Sequence, residues 1–294
     1  MAADGASPTG GHPEGAAQTT RTDRWWFEPL WTGLGFLIFS LYATWEMFQG
    51  NHYFVGEGHG FGGYLSPFYS PLLFTDTTMW PQAPVHHALF GEKPGWWPAF
   101  FPSISAALIL PFPLTFRLTC YYYRKFYYRA YLGTPPGCAV NPLPLGRIPT
   151  GRYEGETTLF IFQNLHRYAL YAAIVFIFIL SYDAILGFFR DGHFFVGLGS
   201  LVLLVNPILL GLYTFGCHAF RHLVGGRKDC FSCDAKDHSK GQVGGYSAWK
   251  LVTRLNEHHM FWAWVSMIWV GWTGVYVRLV ASGTINDIVF YAGN

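Results

Sequence analysis

The segment from Gly216 to His238, GCHAFRHLVGGRKDCFSCDAKDH, holds Cys217, Cys230 and Cys233, three of the chain's five cysteines, and His218, His222 and His238, three of its twelve histidines. Thiolates and imidazoles are the ligands that soft and borderline metals select. His218 and His222 are four residues apart, so on a helix both rings share one face and can chelate a single ion. Cys217 precedes His218 and points off that face. Gly225 and Gly226 permit a sharp reversal, which returns Cys230-Phe-Ser-Cys233 toward the helix end and supplies a Cys-x-x-Cys pair.

Three centres fit these donors. Zinc held by Cys230, Cys233, His218 and His222 would be structural. A [2Fe–2S] centre with two thiolates on one iron and two imidazoles on the other would be Rieske-type, with a potential of roughly −150 to +300 mV suited to passing electrons onward. A single haem b would need histidines on facing helices, such as His166 with His222 or His259. Against all three stands the plainer role of histidine at a helix C-terminus, where the ring meets the dipole and lipid headgroups. The concentration of donors in one segment weighs against that role.

The elements that position these donors are apolar. Residues of the AVILMFWYC set make up 51% of the chain, aromatics 19% and charged residues only 12%, against about 25% charged in an ordinary soluble domain. A bilayer core of about 30 Å takes roughly 20 helical residues, and five runs approach that length, at about 31–48, 98–116, 168–189, 194–215 and 260–281. This patterning predicts an all-α membrane protein, a five-transmembrane-helix bundle over 25–294. Residues 1–24, rich in Gly, Ala, Thr and Pro with no apolar core, are expected to form a disordered tail and not a signal peptide. The stretch Gly50–Gly95 reads as an ordered cap on one face. Of the 19 Lys and Arg residues, all but Lys93, Arg190 and Arg278 fall in the N-terminal tail or beside the loops between spans 2 and 3 and spans 4 and 5. The positive-inside rule makes that side cytoplasmic, with the N-terminus in and the C-terminus out. The net charge of +2 is spread over several loops, and no nucleic-acid partner is expected.

On this map all five cysteines lie on the cytoplasmic side, where disulfides are disfavoured, and His166, His218, His222, His258 and His259 share their level. Two stacked haems are disfavoured because no histidine lies in the outer half of any span. A quinone site needs an amphipathic pocket with donors for two carbonyl oxygens; His166, Arg167 and Tyr168 at the mouth of span 3 supply such groups, Trp262 and Trp264 are candidate walls, and interfacial anchoring is the competing role for Arg and Tyr. Asp183, about 25 Å of helix from His166, is expected to pair with Arg278, and Glu46 to reach the interface.

Several stretches carry a resemblance: WWFEPLW at Trp25–Trp31, YLSPFYSP at Tyr64–Pro71, FRLTCYYYRKFYYRAY at Phe116–Tyr131, NLHRY at Asn164–Tyr168 and CHAFRHLVGGRKDCFSC at Cys217–Cys233. From about Trp25 to the end of span 5 the chain resembles the five-helix membrane subunit of actinobacterial-type succinate dehydrogenase, the complex II class without haem and with a Rieske-type [2Fe–2S] cluster in its membrane part. The resemblance implies residence in the bacterial inner (plasma) membrane. It implies a flavoprotein subunit, an iron–sulfur subunit, membrane lipid and a quinone, expected as menaquinone, as partners, with monomer or homotrimer of the complex left open. It places the two thiolates and two imidazoles on Cys230, Cys233, His218 and His222, with Cys217, His166 and His259 as substitutes. The spacing departs from the ordinary Rieske pattern of Cys-x-His with Cys-x-x-His. A zinc-braced transporter is the alternative from another class, disfavoured by spans with few polar residues and no inverted repeat.

Overall fold

The computed structural model describes residues 15–56, 62–98, 104–144, 162–225 and 245–293, the side chains of 162 and 163 excepted. Helix α1 is Phe27–Gln49; strands β1 (Phe54–Val55) and β2 (Tyr64–Leu65) follow; then α2 (Ala106–Ile109), α3 (Pro111–Thr119), α4 (Tyr121–Tyr127) and α5 (Phe162–Leu186). Strands β3 (Phe189–Arg190) and β4 (His193–Gly197) lead to α6 (Leu198–Phe215), α7 (His218–Val224), α8 (Tyr246–Glu257), α9 (His259–Ala281) and β5 (Val289–Ala292). Among the described residues two small antiparallel sheets therefore accompany mostly helical structure, which an all-α reading did not anticipate.

Among the described residues three helices are long and apolar enough to cross a membrane: Asn164–Leu186, Leu198–Phe215 and His259–Ala281. The expected run 98–116 contributes, over its described part, the shorter apolar stretch Ala106–Thr119. It is divided at Leu110, where Pro111 opens α3; proline lacks an amide proton and ends the preceding ladder. The expected start of span 4 at 194 moves to Leu198, because Arg190-Asp-Gly-His193 forms a hairpin. Asp191 and Gly192 both have positive φ, 52° and 83°, the signature of a two-residue turn. Phe189 faces Phe194 across β3 and β4, and β4 pairs onward with β5.

The chain forms two compact units, one of residues 1–38 and 121–157, the other of 39–120 and 158–294. In the first, residues 15–24 are held against 138–141: Ala17 N–H donates to the Asn141 carbonyl at 3.2 Å, Thr19 Oγ1 to Ala139 and Arg21 to Cys138. This differs from the disordered tail expected over 1–24, of which 1–14 lie outside the described residues. Tyr131 also donates to the Gly33 carbonyl at 2.8 Å.

In the second unit α6 packs on α5 and α9, and small residues let the helices approach closely. A Cβ at Gly274 would stand 2.6 Å from the Phe68 ring and 2.8 Å from Glu46 Oε2. Glu46 is accordingly 0% exposed, accepting from Ser66 Oγ at 2.7 Å, and does not reach an interface. The pairing expected for Asp183 with Arg278 is also replaced. Asp183 accepts from Ser70, whereas Arg278 donates to Asn51 and Gln49 and stacks over Trp45. The end of α1 and the residues after it supply the carbonyl and amide acceptors that Arg278 uses. The Gly50–Gly95 cap builds its core from Tyr53, Phe54, Phe68, Tyr69 and Leu72.

Asp287 clamps the C-terminal segment to this unit, accepting from Tyr64 Oη and Tyr276 Oη at 2.6 Å each and from Gly199 N–H at 3.0 Å. Burial first, and then the Asp287 hydrogen bond, push the Tyr64 pKa up and keep the phenol a donor. Asp287→Ala removes an acceptor from three donors and is expected to cost about 1–3 kcal/mol. A thermal melt of the solubilised protein checks this; an unchanged midpoint would show that the clamp is dispensable.

Candidate functional site

The ends of α3 and α6 and the starts of α5 and α9 bring thiols and imidazoles together. At the end of α6, a Cβ on Gly216 would lie 2.7 Å from the Leu212 carbonyl, 3.3 Å from the Leu255 carbonyl and 3.4 Å from His259 Nδ1. Asn256 Nδ2 donates to the Gly216 carbonyl at 2.8 Å, tying the α6 terminus to the end of α8. Glycine avoids the clash with the Leu212 carbonyl of α6 itself and eases the approach to the α8–α9 junction. Cys217 then adopts an extended backbone (φ −76°, ψ 155°), which breaks the helix and starts α7.

That break decides which donors face inward. Cys217 is 1% exposed, Cys120 2% and His259 2%. Cys217 Sγ accepts a hydrogen bond from Phe220 N–H at 3.2 Å. Cys120 Sγ lies 3.7 Å from His259 Nε2 and also interacts electrostatically with Cys217, while His259 interacts with both His166 and His218. His166 is fixed by two residues of α3: its ring stacks on Phe116 at 4.6 Å and 7°, and its Nδ1 meets Thr119 Oγ1 at 3.0 Å. His259 stacks on Tyr213 at 5.0 Å and 14°. Arg117, itself buried, lies over the other ring contact of this group, 5.0 Å from the Tyr213 centroid, and donates to the Ala263 carbonyl and Ser266 Oγ at 3.2 Å.

Electrostatics follow burial. Desolvation pushes the Cys217 thiol up to about 12, only partly offset by the Phe220 N–H. Without a cation beside it this sulfur stays protonated at neutral pH; a bound metal ion would reverse that. Burial, and then the Arg221 charge, push the His218 pKa down and keep that ring neutral.

Of the residues singled out from sequence, His218 and His222 share α7, and both are exposed. Cys230 and Cys233 lie outside the described residues, as does His238. His166, Arg167 and Tyr168 are successive residues of α5 and so diverge around the helix; Arg167 and Tyr168 are exposed, Tyr168 to 55%. Trp262 packs edge-on against Phe261, and its indole N–H is buried without a hydrogen-bond partner among the described residues. Among the described residues no three His, Cys, Asp or Glu side chains are set to hold a single metal ion. Cys120, Thr119, Arg117 and Tyr213 were not selected from sequence. The signal available was the polar triplet in FRLTC, where Arg117, Thr119 and Cys120 sit together at the end of an apolar run.

Long apolar helices, with thiols and imidazoles gathered at their ends, define a helical membrane protein. The family described as actinobacterial succinate dehydrogenase subunit SdhC matches residues 27–283, and the chain belongs to that family. It is thus a membrane-anchor subunit of succinate dehydrogenase. Among solved structures it is similar to a chain of the Mycobacterium smegmatis Sdh1 complex in the apo form, at 42% identity and a TM-score of 0.74 over 94% of each chain. No curated protein matches it.

Cysteine accessibility checks the geometry. With a maleimide at pH 8, Cys138, which is exposed, is expected to label in the folded subunit, while Cys120 and Cys217 label only after unfolding. Peptide mass spectrometry reads the result, and Cys217 labelling as fast as Cys138 would contradict an inward-facing thiol.

Proposed function

We propose that this chain is the membrane-anchoring and quinone-reducing subunit of a succinate:quinone oxidoreductase, and that Cys120, Cys217, His166 and His259 hold a Rieske-type [2Fe–2S] centre in it. The observation that carries this reading is the convergence of two buried thiols and two imidazoles, from helix ends far apart in sequence, on one layer. The donors match the group in type and number: two sulfurs for one iron and two ring nitrogens for the other. A two-iron cluster needs two pairs of donors separated by the cluster itself, so it does not ask for three side chains around one point. Cys230 and Cys233, with His218 and His222, remain the competing set for the same centre. The exposure of both α7 histidines favours the buried donors. When bound, such a centre supplies one-electron transfer at a potential raised by its imidazoles.

The chain's own residues then have definite tasks. Phe220 N–H stabilises the Cys217 thiolate. Tyr213 and Phe116 hold the planes of His259 and His166, and Arg117 fastens α3 to α9 beside them. Trp262, one turn after His259, offers an indole N–H to a quinone carbonyl, with Arg167 and Tyr168 at the membrane boundary as further donors. The segregation of basic residues supports five spans in the bacterial plasma membrane, with the N-terminus and the donor layer on the cytoplasmic side. Soluble flavoprotein and iron–sulfur subunits would dock on that side. The presence of the similar chain in the Sdh1 complex supports that assembly.

The test is a set of single substitutions in the purified complex. Cys120→Ser or Cys217→Ser is expected to abolish the electron paramagnetic resonance signal of the histidine-ligated centre and quinone reduction, while succinate oxidation by a soluble dye acceptor persists. Loss of the signal in Cys230→Ser and Cys233→Ser alone would move the site to those two cysteines. A Soret band in the visible spectrum would assign haem b instead.

A further inference from the structure

Thr119 is the last residue of α3, 4% exposed, and its hydroxyl oxygen lies between two carbonyls of its own helix, that of Phe116 being the more distant at 3.4 Å, and an imidazole. The Thr115 carbonyl is 2.7 Å away and His166 Nδ1 is 3.0 Å away. A hydroxyl has one proton to give. The Thr115 carbonyl, four residues back on the same helix, is the habitual acceptor for a helical threonine, and here it is the nearest of the three. With the proton on that bond, the oxygen can only accept from the imidazole. His166 Nδ1 then carries the ring proton, and Nε2 carries the lone pair.

The ring has little freedom to choose otherwise. Phe116, one turn before Thr119 on α3, stacks on the imidazole at 4.6 Å with planes 7° apart. Phe116 therefore sets the plane of the ring and Thr119 sets its rotation within that plane, both from one face of one helix. A ring flip would place a carbon against the Thr119 oxygen in the interior, and would lose the hydrogen bond.

We propose that Thr119 is a positioning residue that holds His166 in the Nδ1–H tautomer and so makes Nε2 the nitrogen offered to iron. This rests on the reading of His166 as a cluster ligand. Metal-bound histidines take their tautomer from the partner of the other ring nitrogen. Here that partner is a buried protein hydroxyl, so the ligand's free N–H is satisfied inside the protein. A hydrogen bond donated by that N–H makes the imidazole a stronger electron donor, which favours the oxidised iron. Loss of the bond should shift the centre toward reduction.

The experiment uses the whole succinate dehydrogenase complex, with electron paramagnetic resonance followed through a redox titration. Thr119→Val should leave the centre's signal in place and raise its potential, by a shift of up to about tenfold in the reduction equilibrium, or 59 mV for one electron. Thr119→Ser, which keeps the hydroxyl, should restore the wild-type value. A Thr119→Val centre with an unchanged potential overturns the proposal while leaving the cluster reading intact. Absence of any histidine-ligated signal from the wild-type complex overturns both. Should Thr119→Val fail to assemble, the redox difference infrared spectrum of wild-type complex with 15N-labelled histidine reads the tautomer directly. Bands of an Nδ1–H imidazole support the proposal, and bands showing only the Nε2–H form overturn it.

Discussion

Arg117 is the constraint around which the donor layer is built. A guanidinium inside an apolar helix bundle is costly unless its donors and its charge are met within the protein. Arg117 meets α9 through the Ala263 carbonyl and Ser266 Oγ, and α6 through the face of Tyr213. Three helices are thereby held at one level by a single side chain. Tyr213, pinned from one direction by that cation, presents its ring to His259 and its edge to Phe116, which in turn stacks on His166. The planes of both inward imidazoles descend from this arrangement. Replacing Arg by Lys at such a site would not be conservative, because an ammonium cannot spread its donors over two groups and lie flat on a ring.

A second constraint is the break at Gly216 and Cys217. Had α6 run on without interruption, Cys217 and His218 would have continued around one helix and the thiol would have had no fixed reason to turn inward. A side chain at 216 would clash with the Leu212 carbonyl of α6 and crowd the α8–α9 junction, and the extended backbone at 217 then drops the sulfur into the interior. The same break puts His218 and His222 on a short separate helix. Arg221 on that helix donates to Thr253 and lies over Trp249, fastening α7 to α8. Part of the basic character of this region is thus spent on holding helices together.

Much of this was legible in the sequence. The long apolar runs that become α5, α6 and α9 stand out by length alone, whereas the Asp191-Gly192 turn between Arg190 and His193, which makes α6 start later than its apolar run, was not read. The family is legible too, because its motifs are contiguous. The convergence of Cys120, Cys217, His166 and His259, on which the proposed centre rests, was harder to read. Cys120 and His259 are 139 residues apart, and Thr119 and His166 47 apart. Local spacing pointed instead to the dense Cys and His segment after α6, since four-residue spacing and Cys-x-x-Cys are visible along the chain. Convergence of helix ends is not. Glu46 was misread for a related reason: a carboxylate near the end of an apolar run suggests an interface, but burial there is decided by Gly274 and Ser66, which come from distant segments.

The central claim is that a two-iron centre sits among Cys120, Cys217, His166 and His259. The most direct measurement is an electron cryomicroscopy map of the assembled complex, purified with its metal intact. The account predicts compact density for two metal atoms joined to these four side chains at the ends of α3, α5, α6 and α9. Density joined to Cys230 and Cys233 instead, with Cys120 and Cys217 packed only against protein, would contradict it.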